Sequence, residues 1–132
     1  LVKVSSDDLN IENVRTLLND KVARDEYVRI LNNLRSIEII GNLDRGNLIT
    51  YCNAYSRYVK ANKEMRRKDF SMIILTPSGP KPHPMIKLSS DAYDEMAKSG
   101  EKLGMSVSSR LKAAEVRVKK EEEDLKQVFG EF

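Results

Sequence analysis

The sequence predicts a mainly α-helical fold, with one β-hairpin set between the second and third long helices. Three observations carry that expectation. Apolar residues recur at three- and four-residue steps through most of the chain. The run Met72-Ile73-Ile74-Leu75 breaks this rhythm and ends at Thr76-Pro77-Ser78-Gly79, where proline suits the second position of a turn and glycine accepts positive φ. Capping residues and glycines then punctuate the helical stretches.

In chain order, Ser5-Ser6-Asp7-Asp8 offers capping oxygens. Val14, Leu17, Leu18, Val22, Tyr27, Ile30, Leu31 and Leu34 then predict one long or two consecutive helices within residues 1–40. Gly41-Asn42 ends that segment. Asn42 is the expected cap of a central basic helix within 41–69, running from Leu43 to about Lys68, with Asp44 in its first turn where the helix dipole favours an anion. Leu48, Cys52, Tyr55 and Val59 line one face of this helix and are expected core, flanked by Tyr51 and Tyr58. The hairpin occupies 70–83, and its return strand must be short because Pro80, Pro82 and Pro84 lack ladder amides. Pro84 opens a third helix over 84–104, with Ile86, Tyr93, Met96, Gly100 and Leu103 as its stripe and Gly104 as its stop. Ser106 caps a C-terminal helix and tail over 106–132. Leu111, Ala114 and Val118 form a narrow apolar line there, and Glu115/Lys119, Lys119/Glu123, Lys120/Asp124 and Glu122/Lys126 pair opposite charges four apart, so Lys119 to Asp124 reads as solvated.

At 132 residues and 40% hydrophobic content the chain is expected to form one domain. A mean hydropathy of -0.50 with 33% charged residues describes a hydrated surface, and no apolar run approaches the roughly 20 residues that span a bilayer. The chain starts at Leu1 rather than Met, which suggests a trimmed N-terminus. No secretory leader opens it, and its single cysteine cannot form an internal disulfide, so a reducing cytoplasm is expected.

Catalytic and metal-binding classes find little material. His83 and Cys52 stand alone, one between prolines and the other on a buried stripe. The acidic run Glu121 to Asp124 points around a helix rather than toward one ion. No Gly-x-x-x-x-Gly-Lys loop is present to wrap phosphates, so no ATP hydrolysis, cofactor or metal is expected. Charge is more informative. Residues 41–83 hold eight Lys/Arg against three acids, whereas six bases face seven acids before them and nine face ten after. Positive charge is thus concentrated in the middle third. Arg57, Lys60, Lys63 or Glu64, and Arg67 follow helical spacing, and with Arg66, Lys68 and Lys81 they are the candidate DNA contacts. Contacts of this kind hold phosphates without reading sequence. The same stripe also suits a merely solvated face. Tyr51, Tyr55 and Tyr58 are better read as core or subunit interface than as base-stacking platforms.

Three phrases in fixed order carry a family resemblance. They are Leu43-Asp44-Arg45 running on to Tyr51-Cys52-Asn53-Ala54-Tyr55-Ser56-Arg57-Tyr58, then Thr76-Pro77-Ser78-Gly79, then Leu103-Gly104-Met105-Ser106-Val107-Ser108-Ser109-Arg110. From about Tyr27 to Arg110 the chain resembles the small terminase subunit of tailed double-stranded DNA bacteriophages. Pro82-His83-Pro84 matches that family's entry into its third helix. Tyr27 stands where many relatives have tryptophan, and Val107 where proline is usual. The resemblance implies a ring of many copies in the host cell cytoplasm. That ring would bind double-stranded viral DNA, present it to the large terminase subunit through its termini, and modulate that subunit's ATPase and nuclease without being an enzyme itself. Two other classes remain open: a dimeric helical transcription regulator that binds DNA, and a virion-assembly adaptor that does not.

Overall fold

The computed structural model describes residues 5–130. Short 3-10 turns at Asp7–Leu9 and Arg15–Leu17 flank a one-turn helix α1 (Ile11–Val14). The long helices α2 (Lys21–Ser36), α3 (Arg45–Met65), α4 (Pro84–Lys102) and α5 (Val107–Phe129) follow, with strands β1 (Ile73–Thr76) and β2 (Gly79–Pro82) between α3 and α4. The mainly helical architecture and the position of its hairpin therefore match the expectation.

The N-terminal segment is broken more sharply than its periodicity implies. Leu18 is extended, and Asp20 then caps α2 by accepting the Ala23 amide at 2.9 Å, so Leu17 is left exposed. Ser6 makes no side-chain cap; it accepts from Arg35, whose guanidinium also reaches the Asn10 side chain at 2.9 Å. Asn42 does not cap α3 either. Its side chain accepts the Asp8 amide at 3.1 Å and donates to Ser5, while the Asp44 carboxylate reaches back to the Gly41 amide at 2.9 Å and closes the entry turn. A polar residue beside a helix start can serve whichever segment the tertiary fold brings close.

The core gathers Leu9, Val14 and Leu18 under the inner face of α2 (Tyr27, Ile30, Leu31, Leu34), and Ile40, Leu48, Tyr51, Cys52 and Leu103 close it. Tyr27 is fully enclosed and donates its hydroxyl to the Leu9 carbonyl at 2.6 Å; burial pushes its pKa up to about 12. Helix α3 lies between α2 on one side and α4 on the other. Its buried surface consequently wraps around the helix: Tyr51, Ala54, Ser56 and Ala61 are buried with Leu48 and Cys52, whereas Tyr55 and Val59 are half-buried.

Helices α3 and α4 run antiparallel, matched by Asn62 with Ser89, Tyr58 with Tyr93, and Tyr51 with Gly100. Of the expected stripe of α4, Gly100 and Leu103 are buried and Ile86 and Met96 half-buried, but Tyr93 is exposed, and Ser89, Ala92 and Ser99 fill the inner face instead. Small side chains let the two backbones approach closely. Beyond α4, Leu103 enters the core and Gly104 turns the chain at φ 78°, where a Cβ atom would come within 2.6 Å of the Ile39 side chain. Ser106 and Ser109 form a reciprocal cap at the start of α5, and Arg110 donates to the Met105 carbonyl at 2.8 Å. Among the described residues, no helix is long and apolar enough to cross a membrane.

Candidate nucleic-acid interface

The hairpin sits at the end of the α3–α4 pair and is built so that its prolines do no harm. β1 and β2 pair antiparallel in the register Ile73↔Pro82, Ile74↔Lys81, Leu75↔Pro80 and Thr76↔Gly79, and the His83 amide continues the ladder to the Met72 carbonyl at 2.8 Å. The hydrogen-bonded pairs are thus 72/83, 74/81 and 76/79, which puts Pro80 and Pro82 at outward-facing positions that require no donor. Gly79 turns with φ 109°, and the Thr76 hydroxyl donates to its carbonyl at 2.7 Å. At the base, the Phe70 and His83 rings meet with centroids 4.7 Å apart, and His83 Nδ1 accepts the Met85 amide as the cap of α4. Arg67, Phe70, Ile74 and His83 line a hollow of about 240 Å³ there.

The basic residues divide into two sets. Arg57 is ion-paired with Glu95 of α4, and Lys60 with Asp20 at the start of α2. Arg67 is held by Glu64 at 2.8 Å and Asp69 at 3.2 Å; the charges of Asp69 and then Glu64 raise its pKa further. Lys63, Arg66, Lys68 and Lys81 are exposed and have no acidic partner within 4 Å among the described residues. Lys63, Arg66 and Lys68 lie on the last turn of α3 and just beyond it, where the helix dipole favours cations. Lys81 stands opposite Ile74, so both project from the same hairpin face, the one that meets Arg67 across the hollow. Lys87, the next basic residue after Lys81, pairs with Asp91 at 2.9 Å.

Asp20 is where the basic stripe is tied down. Burial alone would raise its pKa, but hydrogen bonds from Lys60, the Ala23 amide and the Ser56 hydroxyl, together with the Lys60 charge, outweigh it and hold the carboxyl at about 2. Neither Asp20 nor Glu95 could be found as a partner from sequence, because each lies some 40 residues from the base it neutralises. Tyr51 is buried and Tyr58 packs toward Tyr93 at 6.0 Å between centroids, so those two rings serve packing. Cys52 is enclosed, and burial pushes its thiol up to about 12, which removes thiolate character at neutral pH. Among the described residues, no three His, Cys, Asp or Glu side chains are grouped as a metal site.

No curated protein and no solved structure matches the chain. The family model described as phage terminase, small subunit, matches residues 23–122. That span takes in most of α2, all of α3, the hairpin and α4, and most of α5, and therefore includes every basic residue of the interface. A match over this much of the fold means that the chain belongs to the small subunits of phage terminases, which serve DNA packaging.

Proposed function

We propose that the protein is the DNA-recognition and regulatory subunit of a packaging motor. In the host cytoplasm it forms a ring of many copies, binds double-stranded viral DNA, and presents it to the large terminase subunit, whose ATPase and nuclease it modulates through its termini. It performs no catalysis itself. The single observation that carries the DNA-binding part is the cluster of free cations Lys63, Arg66, Lys68 and Lys81 at the junction of α3 and the hairpin. Arg67 joins them when phosphate replaces Glu64 and Asp69 as its partner, whereas Arg57 and Lys60 mainly fasten α3 to α4 and α2. Ring repetition multiplies a patch too small to grip a duplex alone.

The test is DNA retention as a function of salt. Replacing Lys63, Arg66, Lys68 and Lys81 with Ala should lower affinity for all sequences by at least about tenfold. It should also flatten the log–log salt slope by roughly 3 to 4, one for each phosphate that is no longer neutralised. Thermal unfolding should not change, since none of the four has an internal ion partner among the described residues. Unaltered binding would remove this junction from the contact surface. Light scattering on the wild type tests the ring: a dimer would favour a transcription regulator instead.

A further inference from the structure

Helix α5 is unlike the other long helices in burying nothing. All of Val107 to Phe129 is helical, yet no residue in it is buried, and among the described residues its one ion pair with the rest of the molecule joins Arg117 to Glu38. The same arginine donates to the Ile37 and Glu38 carbonyls at 3.1 and 3.2 Å. A helix of this length extends about 34 Å at 1.5 Å per residue, and helices in proteins draw most of their stability from packing of an apolar face.

Six of its exposed apolar residues fall on one line, with Val116 and Phe129 off it. Val107, Leu111, Ala114, Val118, Leu125 and Val128 fall at alternating steps of four and three once Glu121 is counted, which makes a continuous heptad seam. In that frame Leu111, Val118 and Leu125 occupy a positions. Val107, Ala114, Glu121 and Val128 occupy d positions. Leu111 is 61% exposed and Val128 73%. The flanks discriminate between orientations: Arg110 and Arg117 stand at g, Glu115 and Glu122 at e. In parallel packing, g of one helix meets the following e of its neighbour, so Arg110 faces Glu115 and Arg117 faces Glu122 at each contact between copies. In an antiparallel pair, e meets e and g meets g. With Arg117 against its own copy, Glu115 also meets its own copy and only Arg110 finds an acid, Asp124; shifted by one heptad, Glu115 faces Glu122 and only Arg117 finds one, again Asp124.

We propose that α5 is a self-association helix that packs in parallel, in register, against α5 of the next copy of this chain around the ring. The proposal rests on the reading that the chain assembles and assigns the surface that does it. Charge complementarity selects the occupant, because the flanking pattern is satisfied by the same helix running in the same direction. Glu121 is the one seam position that resists close packing, since a carboxylate at d meets its own copy across the interface; it tempers the strength of a seam that is otherwise aliphatic.

The experiment is mass measurement on the full chain by light scattering across concentration. Leu111→Asp with Leu125→Asp should reduce the particle to a lower mass while the urea transition of the rest of the molecule persists. Glu121→Leu should tighten association at least tenfold. Glu115→Arg with Glu122→Arg should weaken it, and mixing that variant with Arg110→Glu, Arg117→Glu should restore mixed particles. Val128→Cys should cross-link copies through 128 under mild oxidation, which an antiparallel pair would not do. An unchanged mass for the Leu111/Leu125 variant would overturn the assignment of α5 while leaving the ring standing. Failure of Val128→Cys to cross-link would overturn the parallel arrangement, and a monomeric wild type would sink both the seam and the ring.

Discussion

Helices α4 and α5 adjoin in the chain and invert the usual relation between apolar content and burial. Helix α4 packs along α3 with Ser89, Ala92, Ser99 and Gly100 inside, while its Tyr93 and Leu88 stay exposed. Helix α5 carries Val107, Leu111, Val116, Val118, Leu125, Val128 and Phe129, every one of them exposed. Side-chain size decides how closely two helices approach, and a face of small residues makes a tight intramolecular joint. Large aliphatics left outside define a surface awaiting another molecule. The difference also sorts the charges. Around α3 and α4 several are spent on internal pairs such as Arg57–Glu95, whereas among the described residues the four i,i+4 pairs expected along α5 do not close within 4 Å.

The largest test of the contrast sets two leucines eight residues apart. Leu103 is 3% exposed and completes the core, so Leu103→Ala should cost about 3 kcal/mol in urea unfolding. Leu111→Ala, measured at dilution where copies are apart, should change unfolding by less than about 0.5 kcal/mol. Equal losses would mean that α5 is as integral as α4. At the junction between the two helices, Gly104→Ala should cost about 2 kcal/mol, combining the strain of a side chain at φ 78° with crowding of Ile39. A neutral result there would show that the α4–α5 turn is free to reshape.

The next effect concerns pH and belongs to the packed side. Asp20 titrates at about 2 when folded, against an ordinary 3.8, so its contribution is fully present above about pH 4 and disappears as pH falls through 2. Because Lys60 is largely exposed, screening limits the contribution to about 1–2 kcal/mol. Asp20→Asn should therefore be less stable than wild type by that amount at pH 7, and the gap should close between pH 4 and pH 2. A gap that persists at pH 2 would assign Asp20 a packing role rather than an electrostatic one.

Features encoded by adjacent residues were legible in the sequence. Thr76-Pro77-Ser78-Gly79 predicts its turn, Pro84 the first position of α4, and Ser106 the start of α5, and each works through its own backbone or that of a near neighbour. Features that depend on distant partners were not. The small buried face of α4 carries no hydropathy signal, and Ser89 becomes interior because Asn62 donates to it at 3.1 Å. Asn42 resembles a helix cap and instead holds Asp8 and Ser5. In the candidate interface the basic residues could be counted, but their division into tied and free sets follows from Asp20 and Glu95 arriving from other helices. The seam of α5 was obscured by one residue, because Glu121 interrupts an apolar line that resumes at Leu125.

The smallest effect probes whether α5 is held locally or by its neighbour. The Ser106 hydroxyl accepts the Ser109 amide at 3.0 Å, and the Ser109 hydroxyl accepts the Ser106 amide in return at 3.3 Å. Ser106→Ala removes half of this box and should cost about 1 kcal/mol, confined to the first turns of α5. Hydrogen exchange resolves where that loss falls. Faster exchange of the amides after Ser106, with α4 unaffected, means that the two helices open independently, as their opposite packing implies. If protection of α4 falls in step, Leu103-Gly104-Met105 transmits the disturbance and the two helices form one cooperative unit.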